Sequence, residues 1–380
     1  MEILKETEDH KDFRKRLKAF LEKEIIPHVD QWEKQRMVPK EAWRKMGENG
    51  FLCPAVSPEY GGIGGDFIHS AIVADEMSRT YHTGLAPSLH SDVVVPYIDL
   101  FGSEEIKQKY LPGCVSGEII TAVAMTEPGA GSDLSAIATT AVEDGDDVII
   151  SGSKTFISNG INSDLVIVAA RDPKVDDPYN AISLYLVEAG TPGFEKGAKL
   201  DKMGFHSQDT SELFFSGCRI PKTNVLGEKN KGFFLLMANL QQERLVTAMW
   251  AIPIAERALE MTTDFCKKTM RSGRPMIKSQ AVQFALVEMT TEAKLGRTFV
   301  DSLIYDHMAG KDIIIETSMA KYWTTDMAHR VADRCLDLWG NESMRDDSRI
   351  VRAWRDVRVM SIFAGTNEIM KSIVGKFMGW

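Results

Sequence analysis

The 380-residue chain lacks the features that mark several large classes of protein. Its five cysteines, Cys53, Cys114, Cys218, Cys266 and Cys335, are odd in number, widely spaced and without a C-x-x-C pair. That excludes a disulfide scaffold and argues for reduced thiols in a cytoplasmic-type compartment, with a processed organellar matrix form left open beside it. No stretch approaches the ~18 apolar residues of a membrane span, and the charged segment from Met1 to Lys18 lacks the apolar core of a secretory signal. The eight histidines never fall at H-E-x-x-H or finger spacing, so no metal site is expected. A basic excess is missing too: 45 Lys and Arg face 54 Asp and Glu, and a net charge of -9 gives no sequence-independent grip on nucleic acid.

What is present is ordinary globular material, 44% hydrophobic and 26% charged, enough for two or three domains of roughly 150 residues each. Phe13, Leu17, Phe20, Leu21 and Ile25 recur three and four apart, the spacing of an amphipathic helix, and helical periodicity dominates to about residue 115 apart from a glycine-rich loop between Pro54 and Gly65. The texture then changes. Val148-Ile149-Ile150, Leu165-Val166-Ile167-Val168 and the alternation of Ile182, Leu184 and Leu186 read as strands bounded by turn residues. After Gly232 the helical spacing returns in Phe234, Met237, Leu240, Leu245 and Met249, and Pro253 should kink the long helix that carries it. The reading is an α+β protein with a helical domain at 1–119, a β-domain at 120–228 and a helical domain at 229–380, its cleft lying where the layers meet.

Glu127-Pro128-Gly129-Ala130-Gly131-Ser132-Asp133 follows an apolar strand, and its glycines free backbone N–H groups while Ser132 and Asp133 can cap the next turn. Alone, this is an ordinary turn with an Asp cap. Its context is specific, however. Ala124-Met125-Thr126 precedes it, and Lys154-Thr155-Phe156-Ile157-Ser158-Asn159-Gly160, Lys202-Met203-Gly204-Phe205, Gln208-Asp209-Thr210-Ser211-Glu212-Leu213, Leu226-Gly227-Glu228 and Ile362-Phe363-Ala364-Gly365-Thr366-Asn367-Glu368-Ile369-Met370 follow. Across nearly its whole length the sequence resembles the acyl-CoA dehydrogenase family. The resemblance implies an N-terminal helical domain, a middle β-barrel-like domain, a C-terminal four-helix bundle, and FAD.

It further implies that Val123 to Ser132 line the flavin and the thioester end of CoA, with Thr126 at a position that bonds the flavin ring and Ser132 at one that touches the pantetheine. Phe156 and Ser158 match residues that cover the ring. The same carry-over puts Met125, Ile157, Gln280, Gly340, Thr366 and Glu368 on the cofactor side, and Asp92, Gln241, Arg244 and Gly365 on the substrate side. Removing hydrogens from the α and β carbons of a thioester needs a base, a hydride acceptor and donors on the carbonyl oxygen. Most members of the family carry the base at the position of Ala364, which has no group able to take a proton. The long-chain and isovaleryl branches place it on a bundle helix, and Gln241-Gln242-Glu243-Arg244-Leu245 matches that branch with Glu243 as the base. The Ala364 backbone N–H remains a donor to the thioester oxygen.

Two motifs depart from the family pattern. The usual Arg-x-x-Phe-Gly reads Thr269-Met270-Arg271-Ser272-Gly273, and the usual Gln-x-x-Gly-Gly-x-Gly reads Asp337-Leu338-Trp339-Gly340-Asn341-Glu342-Ser343, although Gln280 and Gln283 still match. In the family both reach the FAD diphosphate and adenosine of a neighbouring subunit. A weaker or differently posed FAD, a heteromeric partner, or local rewiring through Arg271 or Arg274 would each account for this. Asp92 is a further oddity, because its segment borders the acyl pocket in the family. A solvated cap is the bland reading, and a carboxyl meeting a polar or ring-shaped acyl group the sharp one.

The expected activity is FAD-dependent oxidation of a saturated straight, branched or cyclic acyl-CoA to the α,β-enoyl-CoA, with electrons leaving to an electron-transferring flavoprotein or similar acceptor. A homotetramer or dimer is expected, or a heteromer with a homologue. Rival readings are a dehydrogenase of carrier-protein-bound acyl groups, a monooxygenase, and a largely structural subunit.

Overall fold

Thr7 opens the first helix, α1 (Glu8–Phe20), by accepting a hydrogen bond from the His10 backbone N–H, while its own N–H donates to His10 Nδ1 at 3.1 Å. Phe13, Leu17 and Phe20 then face inward together. Helices α2 (Val29–Gln35) and α3 (Lys40–Glu48) follow, and the glycine-rich loop closes on Asp66, which caps α4 (Phe67–Ser78) with His69 in the same reciprocal arrangement. The structure, a computed structural model, describes residues 3–80 and 84–380. Beyond Ser88 the chain winds as a π-helical stretch, Leu89–Val94, and continues as α5 (Val95–Phe101) and α6 (Glu104–Ser116).

The β-layer is built from β1 (Thr121–Ala124), β2 (Thr140–Asp144), β3 (Asp147–Ile157), β4 (Leu165–Arg171), β5 (Ile182–Glu188), β6 (Phe194–Lys199), β7 (Ser211–Pro221) and β8 (Val225–Leu226). The order is β6-β7-β3-β2-β4-β5-β8, with β1 added in parallel to β4. Strand β4 is buried on both faces: Leu165, Ile167 and Ala169 join the core shared with the helices, and Val166, Val168 and Ala170 join a second core within the β-layer. This double burial is why its sequence is an unbroken apolar run rather than an alternation. The barrel-like closure expected from the sequence does not occur. Strands β6 and β8 terminate the order without pairing to each other, and the two residues of β8 offer too short a ladder to close it, so the sheet is open.

The 37-residue helix α7 (Gly232–Lys268) follows, and it runs on through Pro253, whose missing N–H is tolerated in a fully packed setting. A small hairpin, β9 (Met270–Arg271) and β10 (Arg274–Pro275), leads to α8 (Gln280–Met308), α9 (Ile314–Trp339), α10 (Arg349–Val357) and α11 (Asn367–Phe377). Helices α7, α8 and α9 pack on one another, with α10 and α11 against α9. The π-helical stretch packs on both β1 and α7, so the three layers meet there. No described helix is long and apolar enough to cross a membrane.

Candidate active site

Glu243 lies on the buried face of α7 and is only 4% exposed. Tyr97, carried by α5, donates its hydroxyl to Glu243 Oε1 at 2.7 Å. Asn239, one turn earlier on α7, reaches the same oxygen at 3.4 Å and donates to the Val93 carbonyl at 3.0 Å. Burial pushes the Glu243 carboxyl up to about 7, while the Tyr97 hydroxyl, the neighbouring Arg244 charge and Asn239 pull the other way. Loss of hydration dominates because no cation is paired with the carboxylate directly. The result is a carboxyl poised near neutrality, the range in which a general base works best.

Arg244 is also buried; its Nη1 is 3.4 Å from Ser318 Oγ on α9, and its Nε has no hydrogen-bond partner. A donor left open beside a buried carboxyl is a place for a ligand oxygen. Close by in the fold, Lys321 of α9 is fully buried and donates to the Gly365 carbonyl at 2.6 Å and to Asn367 Oδ1 at 2.9 Å. It thereby clamps a turn in which Ala364 and Gly365 both take left-handed conformations, at φ 53° and 88°. The φ of 88° at Gly365 is a conformation that side chains rarely adopt, which favours glycine there. Among the described residues, the Ala364 N–H donates to no group, which leaves it free for an oxygen. Thr366 accepts from the Ile369 N–H as the cap of α11, and Glu368 is exposed in that helix's first turn.

The Met125-Thr126 and Phe156 segments are locked together from beneath. Lys154, fully buried, donates to Glu127 at 2.7 Å and to the Met125 carbonyl at 3.1 Å, and the Thr155 N–H donates to the Thr126 carbonyl at 2.9 Å. Glu127 also accepts from the Ala138 and Thr139 N–H groups. The pairing of β3 with β7 shifts register between Lys154 and Ile157, a bulge that throws Phe156 outward. Phe156 is 67% exposed and left-handed at φ 57°, whereas the Ile157 side chain points into the β core. Any contact of Ile157 with a cofactor therefore runs through its backbone. Val123, Met125, Thr126 and Ser158 are half-buried on the same region, and Ser132 is exposed beside glycines 129 and 131, around which nothing lies within 4 Å. Asp133, as its sequence position implies, caps the turn after it.

Domain models of the acyl-CoA dehydrogenase family match residues 7–118 (N-terminal domain), 122–218 (middle domain) and 230–379 (C-terminal domain). The mitochondrial long-chain specific acyl-CoA dehydrogenase of Sus scrofa is 43% identical over 97% of this chain and 86% of its own length. The chain belongs to the acyl-CoA dehydrogenase family. An acyl-CoA dehydrogenase from Geobacillus kaustophilus superposes with a TM-score of 0.97 at 50% identity, covering 99% of each chain. A chain in a structure of the electron-transferring flavoprotein of Acidaminococcus fermentans superposes at 0.94 with 34% identity, covering 98% of each chain.

Acyl-CoA dehydrogenases use FAD, and the residues here fit its ring system. An outward-facing aromatic, Phe156, stands on a bulge fixed to Thr126, and Trp250 and Phe363 bring further aromatic surface close to the Ala364 turn, their ring centroids 6.3 Å apart. The remaining carried-over positions do not converge on this place. Gln280 and Gly340 lie at the far end of α7, and the 26 residues from Glu243 to Thr269 span about 39 Å of helix. There the two altered motifs meet each other: Arg271 Nη2 is 3.3 Å from the point a Cβ on Gly340 would occupy. Gln241, two residues before Glu243 on α7, faces the turn before α9 and accepts from the Ile313 N–H at 2.9 Å.

Tyr97, Asn239 and Lys321 are the residues that sequence reasoning missed. Asn239 alone had a readable signal, since it precedes Glu243 by one helical turn. The trio His10, Asp66 and His69 was also invisible, because its members are far apart in sequence; among the described residues it is the one grouping whose potential metal-ligand atoms lie within 4.8 Å of one another. Both histidines serve as capping partners, and two helix N-termini converge on them, a setting unfavourable to a cation.

Proposed function

We propose that this acyl-CoA dehydrogenase oxidises an acyl-CoA to the α,β-enoyl-CoA with Glu243 as the base that takes the α-proton. The observation that carries the assignment is the burial of Glu243 with its carboxyl near neutrality, held by Tyr97 and Asn239, in a chain whose residue 364 is alanine. In the ionised state the Tyr97 hydroxyl fixes Glu243 Oε1 and leaves Oε2 to receive the proton. The Ala364 N–H donates to the thioester oxygen as charge develops there, and Lys321 holds that N–H in place through Gly365. Arg244 Nε offers a donor on the CoA side, with Gln241 buttressing the turn before α9. Thr126, Ser158, Phe156 and Met125 would hold FAD, which when bound supplies the hydride acceptor. Phe156 covers that surface and excludes water from it.

Reaction partners follow from the same reading. Electrons pass to an electron-transferring flavoprotein or an equivalent acceptor, supported by the likeness to a chain in such a flavoprotein's structure. Arg271, Gln280 and Gly340 stand some 39 Å along α7 from Glu243, too far to share one cofactor with it, so they act on a neighbouring protomer in a dimer or tetramer. All five cysteines are buried free thiols, in keeping with a reducing compartment such as the cytoplasm. The test is turnover of straight, branched and cyclic acyl-CoAs by the purified protein with an artificial electron acceptor. Enoyl-CoA formation supports the reading. Failure with every thioester, in protein that contains FAD, contradicts it.

A further inference from the structure

On the face of α7 that carries Glu243, helical spacing also places Asn239 one turn before it, and Thr247, Trp250 and Ile254 at four, seven and eleven residues after it. The two directions away from Glu243 differ. Towards the start of the helix the face is plugged, because Asn239 is fastened to the Val93 carbonyl at 3.0 Å and Leu236 behind it is fully buried. Towards the end, Thr247 folds its hydroxyl back onto the Glu243 carbonyl at 3.0 Å and takes little room, and the next side chain on the face is the indole of Trp250.

That indole is braced against the segment that carries the oxyanion donor. Its ring centroid is 6.3 Å from that of Phe363, the residue before Ala364, and the Phe363 ring is 6.4 Å from that of Phe205, both pairs edge to face. Phe205 is itself fixed, its N–H donating to Asp356 Oδ1 at 2.5 Å. Against the indole lies a void of about 30 Å³ with Met77, Leu85, Phe205 and Ile254 in its lining, room for a water or two but not for the end of an acyl chain. No charged side chain lines it. Asp92 is outside that lining and 3% exposed, its carboxyl steadied by the Ser70 and Ser88 hydroxyls.

A helical side chain leans towards the start of its helix, so an indole rooted about 10 Å along the axis from Glu243 covers the turn before its own Cα and stands about 5–10 Å past the base. Roughly four to eight carbons of an extended chain, at about 1.2 Å per bond, fill that span. Resting on the function proposed above, we propose that Trp250, braced by Phe363 and Phe205, is the floor of the acyl slot, and that the substrates are short- to medium-chain acyl groups with an uncharged end that stops on it. Trp250 is then a specificity-determining residue, and the void behind it is closed to the substrate.

The experiment measures kcat/KM for straight-chain acyl-CoAs from butyryl to palmitoyl, in FAD-loaded enzyme and counted per bound FAD. The wild type should be most active between hexanoyl- and decanoyl-CoA and at least about 10-fold less active on palmitoyl-CoA. Trp250→Ala joins the slot to the void and raises the palmitoyl-to-octanoyl ratio at least about 10-fold; Trp250→Leu, a second route should the alanine variant fail to fold, moves the ratio in the same direction. A wild type that takes palmitoyl-CoA as readily as octanoyl-CoA overturns the floor, and so does a variant whose activity falls by the same factor at every chain length. Both of those results leave the dehydrogenase reading standing. A wild type that oxidises no acyl-CoA overturns that reading itself.

Discussion

Tyr97 donates its hydroxyl to Glu243 Oε1 at 2.7 Å across the junction between α5 and α7. This bond joins the N-terminal helices to the bundle at the reacting carboxyl. It stabilises the ionised form and so holds down a pKa that burial alone would drive higher. Tyr97→Phe should therefore move the acid limb of the kcat/KM profile to higher pH. In the wild type that limb should be centred near 7, with activity rising with pH as the base ionises. A profile unchanged by Tyr97→Phe would remove the bond from the account.

The same shift has a consequence for stability. The folded carboxyl titrates near 7 and the unfolded one near 4.5, so the native state binds the proton more tightly. Stability contributed by this group is full below pH 4.5 and is lost as pH rises through 7, a loss of about 3 kcal/mol. Glu243→Gln removes that loss. Denaturant titration should show the variant more stable than wild type at pH 8, with the gap closing towards pH 5.

Lys154 and Glu127 form a fully enclosed ion pair beneath the Thr126 segment. Lys154→Met leaves the Glu127 carboxylate without its cation and should cost about 3–5 kcal/mol. Thermal unfolding measures it, and FAD affinity should fall with it because the Met125 carbonyl loses its donor.

Phe156 makes the opposite case. With 67% of its surface open, its ring contributes little to folding, so Phe156→Ala should leave the unfolding free energy within about 0.5 kcal/mol of wild type, as read by denaturant titration. Faster reoxidation of the reduced enzyme by oxygen is the expected change, followed by absorbance after mixing with air-saturated buffer.

Lys321→Met releases the Gly365 carbonyl and with it the position of the Ala364 N–H. A fall in kcat of about 10²-fold is expected, the scale of one lost oxyanion donor, with a much smaller change in KM. A fall that disappears when kcat is counted per folded, FAD-containing molecule would assign Lys321 to folding alone.

Much of this was legible in the sequence. The strand runs at Val148, Leu165 and Ile182, the helical spacing after Gly232 and the vacancy at Ala364 all lie in local pattern, which periodicity and motif spacing report directly. What escaped depended on contacts between distant segments. The partners of Glu243 come from Tyr97 and Asn239, of which the first is 146 residues away. The outward turn of Phe156 arises from a register shift against β7, and the openness of the sheet from the shortness of β8, neither of which a strand pattern reveals. Lys321 reads as a bland helical lysine until its position under Gly365 is seen.

Anaerobic mixing of Glu243→Gln and wild-type protein, each containing FAD, with a saturated acyl-CoA tests the central assignment most directly. Bleaching of the flavin absorbance by the wild type, slowed at least 10²-fold in the variant at equal FAD content, is the outcome the account requires. Equal bleaching rates in the two proteins would contradict it.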